Sequence, residues 1–200
     1  MNERQSSQLL PGLFESIAED QCVTVLHLGP VLPETMEYFS GFRCKLHVND
    51  LFAELPLGFQ PGDELTVQER MSNLVSFPEG TRFDVCFFWD LLNYLDQDGI
   101  IALMECLRPY LAPTTMAHAF VVHNLRSPQR DCRFGIVSTS EIALRSRKHK
   151  VPGYAPQSQG KLKEWLDGFA VKRSVLLAES RLELLLVLLA AFGAVGHERC

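Results

Sequence analysis

The chain has 200 residues, 46% of them apolar and 22% charged, with a formal net charge of −5. That length suits one domain with a core large enough to need no cross-links. The charge supplies no global field that would favour nucleic acid or an anionic membrane. Six cysteines stand without a C-x-x-C pair, and the N-terminus, MNERQSSQLL, lacks a long apolar core. Both features point to reduced thiols in a cytoplasmic protein. The apolar run from Leu184 to Gly196 is too short to span a membrane, which takes about 20 apolar residues.

Residues 1–20 read as a polar segment and a short helix with Leu13, Phe14 and Ile17 on its apolar face. A strand follows over 23–29, VTVLHLG, mostly β-favouring and apolar. Pro33 suits the first turn of a helix that Glu34–Ser40 continues and Gly41 ends. The second strand, CKLHVND, closes at Asp50. The segment 51–80 is interrupted by Pro56, Pro61 and Gly62, and LTVQERMSNLVSF fits either a short strand or a helix.

Val85–Phe88 form an unbroken apolar strand, the pattern of burial on both faces. Asp96 can cap a helix carrying Ile100, Leu103, Met104, Leu107 and Leu111, with Pro113 beyond it. MAHAFVVH, 116–123, is another strand. Ser138 and Glu141 fit a capping box, which predicts a helix near 139–146. KLKEWLDGF reads as a helix stopped at Gly168. Two strand-like runs around Ala178-Glu179-Ser180 predict an antiparallel hairpin.

Alternating strands and helices predict an α/β fold with a mostly parallel sheet covered on both faces. In that order, VLHLG (25–29), FDVCFFWDLLNYLD (83–96) and GFAVKRSVLLAESRLELLLVL (168–188) resemble the class I S-adenosylmethionine-dependent methyltransferase family. The resemblance covers about residues 20–190. It implies a three-layer, Rossmann-like sandwich: a seven-stranded, mostly parallel sheet ending in an antiparallel hairpin. The domain then runs over 21–192, with 193–200 as a tail.

The resemblance also implies a site for S-adenosylmethionine. His27 stands where the family usually has an acidic residue two before the motif glycine, Gly29. Asp50 matches the acidic residue that accepts from the ribose hydroxyls. Glu69 or Ser72 lies near the place of the adenine contact. Asp90 and Asn93 fall at the methionine or substrate end. The implied reaction is methyl transfer to an unidentified small-molecule or protein acceptor, and no residue is singled out as its base. The departures are physical. Where the family loop carries two further glycines, this chain has Val31 and Pro33, and Pro30 and Pro33 have no N–H to donate. A stiff loop with a larger footprint hinders approach to a ligand. The rival reading is therefore a non-catalytic relative, a pseudoenzyme using the fold as an interaction or regulatory module.

Two further patterns carry less. Arg145, Arg147, Lys148 and Lys150 form a basic run suited to an acidic partner, or simply to solvent. The histidines show no ligand spacing for a metal: His118 and His123, five apart in one strand, face opposite ways.

Overall fold

The computed structural model describes residues 2–15, 17, 22–57 and 64–189. In chain order its elements are β1 (Asn2–Ser6), α1 (Leu10–Phe14), β2 (Val23–Leu28), α2 (Pro33–Ser40), β3 (Cys44–Asn49), α3 (Val67–Leu74), β4 (Phe83–Trp89), α4 (Gln97–Leu107), β5 (Leu111–Val122), β6 (Cys132–Ser138), β7 (Glu141–Ser146), α5 (Gln159–Trp165), β8 (Phe169–Leu177) and β9 (Arg181–Leu188).

The most apolar strand occupies the interior of a six-stranded sheet, ordered β3-β2-β4-β5-β9-β8. The first four strands are mutually parallel, and β9 joins β5 and β8 antiparallel. One face of β4 puts Cys86 and Phe88 against α3, α4 and α5, through Met71, Ile100, Leu103, Leu107 and Leu162. The other face puts Val85, Phe87 and Trp89 under α1, α2 and a second, three-stranded sheet, ordered β1-β7-β6. Burial of both faces is what selected an unbroken apolar run here rather than an alternating one.

Three expectations need correction. Among the described residues the main sheet has six strands, where seven were expected. Between β3 and β4 the described residues form α3, because Thr66 and Glu69 close a reciprocal capping box. Residues 139–146 are not a helix: β6 and β7 pair as an antiparallel hairpin with Ile136 opposite Ile142. Ser138 Oγ accepts from Ser140 N at 3.3 Å, so the S-x-x-E pattern marks a turn. Leu111 belongs to β5, not to the preceding helix, and Pro113 lies in that strand's irregular start. The predicted hairpin at 178–180 is present, with Glu179 and Ser180 at positive φ. The tail, 193–200, lies outside the described residues.

Candidate functional site

Gly29, Asp50 and Asp90 each follow a parallel strand, so they share one edge of the sheet. β2 has β3 on one side and β4 on the other, so the strand order reverses there. That switch point is where open α/β sheets place ligand crevices.

His27 is fully buried and points into the core beneath this edge. Trp89 Nε1–H donates to His27 Nε2 at 2.9 Å. The ring hydrogen therefore sits on Nδ1, 3.2 Å from the Gly29 carbonyl that accepts it. Both nitrogens are occupied, and burial lowers the imidazole pKa to about 4. His27 thus acts on Gly29 from behind and has no free ring nitrogen for a ligand.

Gly29 has φ +135°, a backbone that favours glycine. A Cβ there would lie 3.1 Å from the Phe52 ring and 3.9 Å from Trp89. Its N–H donates to Asn49 O at 2.7 Å. Leu32 is buried against Gly135 of β6, so the loop after Gly29 packs on the hairpin. Residues Leu51–Glu54 form a single helical turn that carries Phe52 over the glycine.

The two carboxyls are different. Asp50 Oδ1 and Asp90 Oδ1 are both buried without a hydrogen-bond partner. Burial raises the Asp90 pKa to about 7, against the pull of Arg147 and Arg181. Burial also raises Asp50, opposed first by Arg147 and then by the backbone N–H groups of Phe52 and Ala53. Asn93 is fully engaged: Nδ2 donates to Asp90 O at 3.0 Å and Phe120 O at 2.9 Å, and Oδ1 accepts from Val122 N at 3.2 Å. It fastens the β4 loop to the end of β5 rather than facing a ligand. Glu69 is held in its capping box and Ser72 lies against Cys106, away from this edge.

The basic run is partly internal. Arg145 pairs with Glu34 of α2. Arg147 lies over the Phe52 ring, 4.2 Å from its centroid, while its Nε donates to Cys132 O at 3.1 Å. Lys148 and Lys150 are exposed. Phe52 and the inward turn of Arg147 had no signal in the sequence: one lies in an irregular segment, the other in a run that reads as solvated.

No family model matches the chain, and no curated protein matches it in sequence. Solved structures do match. One is the 1,6-didemethyltoxoflavin-N1-methyltransferase of Burkholderia thailandensis, solved with 1,6-didemethyltoxoflavin and S-adenosylhomocysteine bound. It is 14% identical, aligned over 90% of this chain and 77% of that one, with a TM-score of 0.50. The fold is that of the class I methyltransferases. The glycopeptide N-methyltransferase MtfA, solved with S-adenosylmethionine, is 14% identical over 92% of this chain and 95% of its own, with a TM-score of 0.48. The CcbJ methyltransferase of Streptomyces caelestis is 14% identical over 90% and 94%, also with a TM-score of 0.48.

Tested against S-adenosylmethionine, the residues fit in part. The unpartnered oxygens of Asp50 and Asp90 suit a hydroxylated, cationic ligand. The glycine cradle is filled by Phe52. Among the described residues no helix is long and apolar enough to cross a membrane.

Proposed function

We propose that the chain is a divergent class I methyltransferase whose S-adenosylmethionine site is the crevice edged by Gly29, Asp50 and Asp90. The observation that carries this reading is the pair of buried, unpartnered carboxyl oxygens, at the ends of two strands that flank β2. Such groups are costly to leave unsatisfied, by about 1–3 kcal/mol each, and a polar ligand supplies the missing partners. Asp50 would accept from the ribose hydroxyls. Asp90 would face the reacting end, where its raised pKa suits it to hold or release a proton near neutrality. When bound, the cofactor supplies an activated methyl group, so the protein's task is alignment and exclusion of water. The acceptor is a small molecule or a protein, and the cytoplasm is the expected compartment.

A second reading has its own support. Phe52 covers Gly29, while His27 and Asn93 have their polar atoms engaged internally. These features suit a non-catalytic methyltransferase fold serving as an interaction or regulatory module, with exposed Lys148 and Lys150 meeting an acidic partner.

Calorimetric titration with S-adenosylmethionine and S-adenosylhomocysteine separates the two. The first reading expects saturable heat that Asp50→Ala weakens about tenfold or more, the loss of a hydrogen bond to a charged group being about 1.5–3 kcal/mol. Absence of heat and of any thermal shift at millimolar ligand would leave only the second.

A further inference from the structure

One cation, Arg147, is turned toward the Gly29 turn. Arg147 follows the last residue of β7, and its backbone N–H donates to Asp131 O at 2.8 Å. Its side chain turns inward, held at Nε by Cys132 O. The guanidinium carbon sits 4.2 Å from the centroid of Phe52, the ring that covers Gly29. Arg147 is also the foremost charge opposing burial at both Asp50 and Asp90. One cation therefore lies over the aromatic ring beside Gly29, and its charge acts on both carboxyls without a hydrogen bond to the unpartnered Oδ1 of either.

That surrounding is also what a sulfonium would want. A weakly hydrated cation gains from an aromatic face, and more so when desolvated. Its charge is further favoured by carboxylates in a medium of reduced dielectric. Guanidinium and trialkylsulfonium share the two properties that matter here, single positive charge and weak hydration.

We propose that Arg147 is an internal occupant of this site, its guanidinium lying over Phe52 where a cationic ligand would sit. The inference rests on the methyltransferase reading for the ligand's identity, and on the observed geometry alone for the self-occupation. Binding of an external cation then requires Arg147 to swing out and Phe52 to uncover Gly29. The competent state is a minor one, and the apparent affinity falls by its fraction. The hairpin that carries Arg147 is thereby a brake on the site. A partner that drew the 145–150 run outward would release it.

Small cations test this without relying on the cofactor. Arg147→Ala and Arg147→Gln are compared with the wild type by thermal shift and calorimetry, using trimethylsulfonium and ethylguanidinium at millimolar concentration. The variants are expected to be stabilised by both ions and the wild type by neither. Arg147→Gln keeps the aliphatic stem and serves if the alanine variant folds poorly. S-adenosylmethionine is expected to bind Arg147→Ala about tenfold more tightly than wild type, the value of about 1–2 kcal/mol for a partly desolvated cation–π contact. S-adenosylhomocysteine, which lacks the positive charge, should gain less. Variants that respond to the small cations no more than wild type would overturn the self-occupation. Variants that take the small cations while no form of the protein binds S-adenosylmethionine would uphold it and sink the cofactor assignment.

Discussion

At the residue scale, His27 and Asp90 are two buried titratable groups with opposite pH signatures. The pKa of His27 is lowered from 6.5 to about 4. Unfolded chains bind its proton below 6.5, so its contribution to stability is full above that pH and is lost as pH falls toward 4. The pKa of Asp90 is raised from 3.8 to about 7. Its contribution is full below 3.8 and is lost as pH rises through 7. Over the window from about pH 4 to 6.5 the two slopes oppose each other, each on the order of 1.4 kcal/mol per pH unit. Asp90→Asn removes one of them. The variant is expected to match or exceed wild-type stability at pH 7 and to fall below it by about 2 kcal/mol near pH 5, read from urea midpoints. A variant whose midpoint tracks the wild type across that range would show that Asp90 is not buried as described.

At the element scale, the β6–β7 hairpin lies on α2 and the loop before it. The contact is made by Gly135, where a Cβ would come within 2.8 Å of Leu32 Cβ and 3.2 Å of Thr35 Oγ1. Thr35 Oγ1 in turn accepts from Ile136 N at 3.0 Å. A methyl at Gly135 meets the root of the Leu32 side chain rather than a mobile tip, so backbone must shift. Gly135→Ala is expected to lower stability by about 1–3 kcal/mol, the usual penalty of overpacking, measured by denaturant unfolding. The same hairpin was the least legible part of the sequence. Its short strands alternate weakly, since Ile142, Ala143 and Leu144 are all buried, and Ser138 with Glu141 imitates a helix cap. By contrast, β4 and α4 were readable because an unbroken apolar run and a three–four spacing are driven by burial alone. The positions of Gly29, Asp50 and Asp90, each just after a strand, were readable because the strands themselves were. The internal roles of His27 and Asn93 were not, because they depend on Trp89, Phe120 and Val122, which only the folded sheet brings near.

At the scale of the whole molecule, the N-terminal segment is tied to β9 through the core. Glu183, on β9, is fully buried, as is His118, diagonal to it on β5. His118 Nε2 lies 2.8 Å from Glu183 Oε1, which also accepts from Ser7 Oγ; Gln8 N donates to Oε2 at 3.2 Å. These donors hold the carboxyl below the usual range despite the opposing effect of burial. Serine, glutamate and histidine here do not make a nucleophile, because the carboxylate sits between the other two and accepts from both. The arrangement instead seats the N-terminal segment, so that Leu9, Leu10 and Leu13, all at 0% exposure, cover the sheet face under the small β-sheet. Removing one partner strands the other. Glu183→Ala is expected to cost about 3–5 kcal/mol, more than an apolar truncation of equal size, because His118 and Ser7 lose their acceptor together. Adding His118→Phe to Glu183→Ala removes one orphaned group and should recover part of that loss. A double-mutant cycle in which the two costs simply add would show that the pair is not coupled, and that packing of the leucines alone holds the N-terminal segment in place.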